Sequence, residues 1–154
     1  MTQHTQASSP TAIVTGAARG IGLATARLFL AKGLQVAMVD RDSDELHRAA
    51  SGLQGVLPVV CDVSQEQQVE NMVSTVLHWS GRIDALVNNA GVADFGPIAQ
   101  TSSGPVKTKL AQTVHSPDIV RAYHDAIPLN RYGSEDEIAR VIVFLASEEA
   151  SYLT

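Results

Sequence analysis

The sequence contains little cysteine and few aromatic residues, and this scarcity excludes several classes of protein. One cysteine, Cys61, in 154 residues rules out a disulfide framework and a cysteine-rich zinc site. Aromatic side chains make up 5% of the chain, and no apolar run approaches the ~18 residues of a membrane-spanning helix. Residues 1–10 are polar and lack the features of a secretory signal. We therefore predict a cytoplasmic protein with a short disordered tail at residues 1–10 and no membrane partner.

Basic residues are also in the minority, with 11 Lys and Arg against 16 Asp and Glu and a formal net charge of −5. Nucleic acids favour a basic protein surface, so we predict no nucleic-acid partner. Hydrophobic residues nevertheless make up 45% of the chain. A domain of about 150 residues buries about 68–70% of its unfolded surface. The composition is that of one globular domain with a substantial core.

Apolar runs and amphipathic stretches alternate through the first half of the chain. Buried strands are predicted at residues 12–15, 35–40, 55–61 and 83–88. Helices are predicted from Ile21 to Lys32, from the capping box of Asp42 and Glu45 to about Ser51, and from the capping box of Ser64 and Gln67 to Gly81. Pro58 interrupts the third run and predicts an edge strand.

Strands that are apolar throughout and are joined by helices form parallel sheets covered on both faces. Right-handed crossovers then predict the strand order 3-2-1-4. The predicted fold class is therefore α/β, with a Rossmann-like parallel sheet of about four strands and helices on both faces. Ligands of such sheets bind outside the carboxyl ends of the strands, where the strand order reverses.

The second part of the chain follows a different pattern. Residues 92–104 have a loop-like composition, and Ser116 with Pro117 predicts the start of a helix that runs to about Ala126. Ser134 and Glu137 have capping-box spacing before an apolar stripe that contains Ile138, Val141, Ile142 and Leu145.

The strongest motif is a glycine-rich turn between the first strand and the first helix, with the sequence Thr15-Gly16-Ala17-Ala18-Arg19-Gly20-Ile21-Gly22. Gly16 permits a tight turn, Gly20 lets the backbone approach a pyrophosphate, and Gly22 allows the helix to pack on the strand. The helix N-terminus would present free N–H groups to the phosphates. The spacing differs from the common G-x-G-x-x-G, and an ordinary glycine-rich turn is the alternative interpretation.

Acidic residues follow the second and third predicted strands. Asp40 can accept hydrogen bonds from the adenosine ribose and repel a 2′-phosphate, so we predict NAD as cofactor and disfavour NADP. Arg41 can stack on adenine or meet a phosphate. Asp62 can accept from the adenine amino group, with the Val63 backbone alongside. The alternatives are a solvated turn for Asp40 and Arg41 and helix capping for Asp62.

Together these motifs resemble those of the short-chain dehydrogenase/reductase family. The resemblance continues at Asn88-Asn89-Ala90-Gly91, at residues 103–108, where Ser103 replaces the usual proline, and at residues 127–136 and 144–147. It implies that the cofactor is held by Gly16, Arg19, Gly20, Ile21 and Gly22 at the pyrophosphate, Asp40 at the ribose, Asp62 and Val63 at adenine, Asn89, Ala90 and Gly91 at the cleft, and Val106 and Thr108 at the nicotinamide.

The resemblance also implies hydride transfer between NAD(H) and a small alcohol or carbonyl substrate. In the family, a tyrosine passes the proton, a lysine four residues later assists it, and a serine polarises the substrate. None of Tyr123, Tyr132 and Tyr152 is followed by lysine at that offset. We predict no catalytic residue and no metal ligand in the chain as given, and therefore no activity. The alternative is a non-catalytic nucleotide-binding module or a truncated relative.

The departure from the family lies around residues 102–104, where the resemblance passes from the loop after the fourth strand to the turn that follows the sixth. The resemblance divides the chain into a dinucleotide-binding half at residues 11–100 and, at residues 101–154, a lid loop with C-terminal helices on the same domain. We expect the fourth strand to become an edge strand and the helix at residues 134–147 to fold back onto the gap. Exposed apolar surface then predicts reduced stability or self-association.

Overall fold

The computed structural model of the protein describes residues 9–91, 117, 121 and 131–151. The strands are β1 (Thr11–Thr15), β2 (Gln35–Asp40), β3 (Val56–Val60) and β4 (Ala85–Val87), and the helices are α1 (Gly20–Ala31), α2 (Ser43–Ala50), α3 (Glu66–Ser80) and α4 (Glu135–Leu145). A short 3₁₀ helix, Glu148–Ala150, which the sequence pattern did not indicate, follows α4. Within these ranges, no helix is long and apolar enough to cross a bilayer. The predicted tail and the predicted helix at residues 116–126 lie almost entirely outside the described residues.

The strands of the described ranges form one parallel sheet in the order β3-β2-β1-β4. The predicted fold class and strand order are therefore confirmed. Pro58 lies opposite Met38 in the register of β3 with β2. Because proline cannot donate to a ladder, it is tolerated in a strand whose other side is unpaired. The prediction that Pro58 marks an edge strand is confirmed for the part of the sheet that the structure describes.

The core lies on both faces of β1 and β2, which explains why these strands are apolar throughout. On one face, Val14 and Met38 pack in a cluster that includes Phe29 of α1 and Val143 of α4. On the other face, Ile13, Ala37 and Val39 pack with Met72 and Val76 of α3. Burying a side chain of this size contributes roughly 1.5–3 kcal/mol, so these two clusters account for much of the stability of the sheet.

Strand β4 is shorter than the predicted strand at residues 83–88, and polar side chains add hydrogen bonds to β1 at both of its ends. At the first end, the Thr11 N–H donates to Asp84 Oδ2 at 2.8 Å. At the second end, the Asn89 N–H donates to the Thr15 hydroxyl at 3.0 Å. Bonds from Arg82 and from the Thr11 N–H hold the pKa of Asp84 below its usual range, so its carboxylate stays charged in this position.

Helix α4 packs against α1, on the sheet face opposite α3. Right-handed connections that lead onward from β4 would place their helices on the α3 face. The expectation that α4 folds back onto that gap is therefore wrong. Leu86, which pairs with Ile13 in the register and shares its face of the sheet, remains 55% exposed. The division of the chain at residues 100 and 101 stays a prediction.

Carboxylates at the ends of β2 and β3 alter two of the three predicted capping boxes. Asp42 does cap α2, but its own N–H donates to Asp40 rather than to Glu45. The Ser64 hydroxyl donates to Asp62 Oδ1 at 2.8 Å, so α3 begins at Glu66 without a side-chain cap. These two predictions are corrected because a neighbouring carboxylate competes for the same polar groups. The capping box of Ser134 and Glu137 is complete and confirmed.

Candidate cofactor site

The carboxyl ends of the parallel strands meet at one edge of the sheet, and each is followed by residues that the sequence predicts for cofactor binding. The sheet brings together the glycine turn after β1, Asp40 and Arg41 after β2, Asp62 and Val63 after β3, and Asn89, Ala90 and Gly91 after β4. The remaining two predicted residues, Val106 and Thr108, lie outside the described residues.

The glycine turn is too compact to accept a side chain at its end. A Cβ added at Gly22 would lie 2.2 Å from the Gly16 carbonyl oxygen and 2.7 Å from the Asn89 amide nitrogen. Gly16 adopts the left-handed region with φ 65°. Gly22 is therefore required for α1 to begin directly against the end of β1, which aims the helix N-terminus at the open edge of the sheet.

Gly20 lies at the first position of α1 and has its backbone open to a ligand. Its φ is 60°, and an added Cβ would approach within 4 Å only of the Glu135 carboxyl, the nearest atom being Oε1 at 3.5 Å. The first turn of α1 contains no acidic residue, and Arg19 at the N-cap makes no capping bond with its side chain. The N–H groups of this turn can therefore bind an anion.

Asn89 and Thr15 connect the glycine turn to the end of β4. The Thr15 hydroxyl donates to the Val87 carbonyl at 3.2 Å and accepts from the N–H groups of Asn89 and Ala90 at 3.0 and 2.9 Å. The Asn89 amide donates to the carbonyls of Thr15 and Gly16 at 3.0 and 3.3 Å. The wall formed by Asn89, Ala90 and Gly91 is thereby fixed relative to the turn.

Asp40 binds the backbone on both sides of the end of β2. Its Oδ2 accepts from the Ala18 N–H at 3.1 Å, and its Oδ1 accepts from the Asp42 N–H at 3.1 Å. A carboxylate has about four lone-pair sites, so acceptor capacity remains for a ribose. The carboxylate thus joins the glycine turn and α2 at the position predicted for the ribose.

The guanidinium of Arg19 forms an ion pair with Asp42, whose backbone N–H donates to Asp40. Asp42 Oδ1 accepts from the Glu45 N–H at 3.1 Å. That backbone bond, followed by the bond from Arg19, holds the pKa of Asp42 below its usual range. The pyrophosphate role of Arg19 stays a prediction, since its head group lies at the β2 end of the site. Sequence reasoning did not assign Asp42 to the site, although its position two residues after Asp40 was a usable signal.

Asp62 organises the turn that follows β3. Its Oδ1 accepts from the N–H and the hydroxyl of Ser64 at 3.0 and 2.8 Å. These bonds, with a smaller contribution from the charge of Arg41, hold the pKa of Asp62 below its usual range. Val63 is 43% exposed next to it. An ionised acceptor and an apolar side chain therefore lie together at the position predicted for adenine.

The N-terminus of α4 lies close to the glycine turn. The sequence motifs did not predict this proximity. Tyr132, Gly133, Ser134, Glu135 and Asp136 line an open cavity of about 250 Å³. Residues far apart in the chain, Gly20 and Glu135, become neighbours because α4 packs along α1.

Cys61 is buried, and burial, with the charge of Asp62 next to it, raises the pKa of its thiol. A protonated, buried thiol is a poor nucleophile, and Cys61 belongs to the core cluster on the α3 face of the sheet. Among residues 9–91 and 131–151, no group of three or more His, Cys, Asp and Glu residues is arranged to hold a metal ion.

A parallel sheet that ends in a glycine turn, with an acidic residue after the second strand, defines the Rossmann-type nucleotide-binding α/β proteins. The sequence profile described as short chain dehydrogenase matches residues 10–123. A second profile, described as Enoyl-(Acyl carrier protein) reductase, matches residues 100–154. The chain belongs to the short-chain dehydrogenase family.

Curated relatives match part of the chain. L-fucose dehydrogenase of Oryctolagus cuniculus is 43% identical over 79 residues, which cover 51% of this chain and 28% of that protein. The 1-deoxy-11-beta-hydroxypentalenate dehydrogenase of Streptomyces exfoliatus is 43% identical over 93 residues, covering 58% of this chain and 33% of that protein. The chain therefore spans 28–33% of the length of these two relatives.

Solved structures share the fold at lower sequence identity. The 3-ketoacyl-(acyl-carrier-protein) reductase from Brucella melitensis complexed with NADH has a TM-score of 0.79 at 21% identity, covering 92% of each chain. The L-sorbose reductase from Gluconobacter frateurii complexed with NADPH and L-sorbose has a TM-score of 0.79 at 22% identity, covering 94% of this chain and 92% of that chain. The two neighbours therefore carry different dinucleotides on the same fold.

Proposed function

We propose that this chain binds NAD(H) at the carboxyl edge of its sheet. The observation that carries the proposal is the hydrogen bond of 3.1 Å from the Ala18 N–H to the Asp40 carboxylate. It makes the glycine turn and the acidic residue one unit, with a phosphate-binding backbone on one side and a ribose acceptor on the other.

The described residues fit a dinucleotide. Gly16, Gly20, Ile21 and Gly22 would present the turn and the start of α1 to the pyrophosphate, with Arg19 nearby. Asp40 would accept from the ribose hydroxyls, and its charge would disfavour a 2′-phosphate. Asp62, Val63 and Arg41 would surround adenine, and the wall of Asn89, Ala90 and Gly91 would close the cleft. Val106 and Thr108 belong to the same proposal at the nicotinamide.

Bound NAD⁺ would accept a hydride from an alcohol and bound NADH would donate one to a carbonyl, which is the exchange that family members carry out. We infer the same small-molecule substrate class for this site from family membership. The sequence contains no Tyr-x-x-x-Lys pair, which favours binding without turnover. A non-catalytic nucleotide-binding module is therefore the second candidate. The cytoplasmic location predicted from the composition belongs to the same proposal.

The test is a fluorescence titration of the chain with NADH, followed by an assay of NAD reduction with a panel of secondary alcohols. We expect quenching that saturates and no turnover. The matched variants are Gly20→Ala and Gly52→Ala, since both add a Cβ to a glycine with positive φ, of 60° and 79°. We expect Gly20→Ala to weaken NADH binding about tenfold by obstructing the approach of the pyrophosphate, and Gly52→Ala to leave it unchanged.

Failure of folded wild-type chain to bind NADH contradicts the proposed function. Turnover with any of the alcohols leaves the binding proposal in place and overturns the inference that this chain does not catalyse the reaction.

A further inference from the structure

Two arginines, Arg19 and Arg41, and two acidic residues, Asp40 and Asp42, occur in the glycine turn and at the end of β2. Within the described residues, Arg19 forms one ion pair. Its guanidinium bonds to Asp42, and the backbone N–H of Asp42 donates to Asp40. A guanidinium beside the ribose position is the group that accommodates the 2′-phosphate of NADP. The partner that holds Arg19 therefore bears on the choice between the two dinucleotides.

The two carboxylate oxygens of Asp42 make different contacts. Oδ1 accepts from the Glu45 N–H at 3.1 Å and caps α2, while Oδ2 bonds to Arg19. An uncharged asparagine caps a helix about as well as aspartate does. The helix cap therefore needs the oxygen of residue 42 but not its charge, whereas the ion pair with Arg19 needs the charge.

The ion pair itself contributes little to the stability of the fold. The side chains of Arg19 and Asp42 are 53% and 43% exposed, and ion pairs this exposed are screened by water. The main consequence of the pair concerns Arg19 itself. Asp42 balances the charge of the guanidinium and holds it at the N-terminus of α2.

We propose that Asp42 is a specificity-determining residue, whose carboxylate engages Arg19 and thereby withholds the guanidinium from a 2′-phosphate at the ribose position. This inference rests on the proposed function and adds a second source of NAD preference to the repulsion by Asp40. A 2′-phosphate entering this site meets two carboxylates and an arginine whose charge is already matched.

The test is the Asp42→Asn variant, titrated with NADH and with NADPH by fluorescence quenching. We expect NADPH to bind about tenfold more tightly than it binds wild type, since the freed guanidinium makes a charge-assisted bond to the phosphate. NADH affinity should change by less than about threefold, because NADH lacks the 2′-phosphate that the freed guanidinium would bind. The gain for NADPH should shrink as salt is raised from low to physiological concentration.

Two further variants separate the ion pair from general charge effects. Asp44→Asn makes the same change of net charge two residues further along, in the first turn of α2, and should leave the preference unchanged. Arg19→Gln combined with Asp42→Asn should return the ratio of NADPH affinity to NADH affinity to the wild-type value, because a lost contact between Arg19 and the pyrophosphate would affect both dinucleotides alike. An unaltered ratio of the two affinities in Asp42→Asn, or an equal gain in Asp44→Asn, overturns the inference while the proposed function stands. Absence of NADH binding to folded wild type overturns both.

Discussion

Thr15 and Asn89 exchange hydrogen bonds that join the carboxyl ends of β1 and β4. The Asn89 N–H donates to the Thr15 hydroxyl at 3.0 Å, and the Asn89 amide donates back to the Thr15 carbonyl at 3.0 Å. Thr15 is 3% exposed, so these bonds are shielded from water. Because β4 pairs through only Ala85–Val87, its position depends on such side-chain bonds as much as on the ladder.

Removing the Thr15 hydroxyl should loosen this connection. Thr15→Val keeps the shape of the side chain but leaves the N–H groups of Asn89 and Ala90 without their acceptor. We expect the free energy of unfolding to fall by about 1–3 kcal/mol, with a decrease of roughly 2–4 °C in Tm for each kcal/mol. Thr75→Val is the control, since that exposed hydroxyl bonds within its own helix to the Asn71 carbonyl. Equal effects of the two variants in thermal denaturation would contradict the prediction.

The glycine turn should reject even one added methyl group at its end. In Gly22→Ala the new Cβ would collide with the Gly16 carbonyl, so α1 must shift away from β1. We expect a loss of about 1–3 kcal/mol in the free energy of unfolding and of most NADH binding. Gly133→Ala is the control, because its nearest neighbour would be Ile138 Cδ1 at 4.0 Å. If Gly22→Ala melts at the wild-type temperature, the turn does not have this geometry.

Asp40→Ala should alter folding and cofactor choice together. The variant removes the ribose acceptor and also frees the N–H groups of Ala18 and Asp42. We expect NADH affinity to fall about tenfold, discrimination against NADPH to relax, and Tm to decrease. Parallel titrations with both dinucleotides and a thermal melt measure the three effects. Unchanged affinity for both dinucleotides would show that Asp40 does not lie at the ribose.

The start of α4 should lose stability in acid. Bonds from Arg131 and the Ser134 N–H lower the pKa of Glu137 from its ordinary 4.5 to about 2. A depressed folded-state pKa means that the stabilisation is complete above pH 4.5 and is lost as the pH falls towards 2. Glu137→Gln keeps the capping bonds but removes the charge. Tm measured against pH should therefore fall less steeply below pH 4.5 in this variant than in wild type. Parallel curves would contradict the assignment, and Arg131→Gln should reproduce the flattening.

The exposed apolar side chain of β4 should promote self-association. Leu86 is 55% exposed on the α3 face, beside the unpaired side of β4 in the described part of the sheet. We expect Leu86→Lys to shift the chain to smaller species in light scattering coupled to gel filtration. Val141→Lys is the matched control, since Val141 is 53% exposed on α4, which packs against α1. A sharp, monomeric unfolding transition of wild type, or a shift with Val141→Lys alone, would count against this.

The sheet could be predicted from sequence because the signals for its strands and for the ends of its helices lie within a few neighbouring residues. The apolar run of β2 and the left-handed Gly81 at the end of α3 each follow from a few neighbouring residues. The same holds for the glycine turn, whose spacing reflects a contact between Gly16 and Gly22. The helix start at Ser64 was wrong for a local reason too, since Asp62 competes for the hydroxyl that the capping box requires.

The contacts that sequence reasoning missed join distant parts of the chain. The residues that flank Gly20 in the sequence do not indicate that Glu135 lies close to it, because that proximity depends on how α4 packs along α1. The pairing of Arg19 with Asp42 likewise depends on the distance between two loops. Motif spacing places residues at an edge of the sheet but does not decide which oppositely charged side chains meet there.

The double use of the Asp40 carboxylate bears on how this site can evolve. A substitution at residue 40 disturbs the backbone of the glycine turn and of α2 at the same moment as it changes the ribose contact. Substitutions of residue 40 are therefore limited by their effect on folding, in addition to any selection for one of the two dinucleotides. The side chains of residues 19 and 42 are exposed, and the structural bond made by the side chain of residue 42, the cap of α2, can also be made by asparagine. They offer a mutational route along which a lineage can exchange one dinucleotide for the other while its intermediates remain folded.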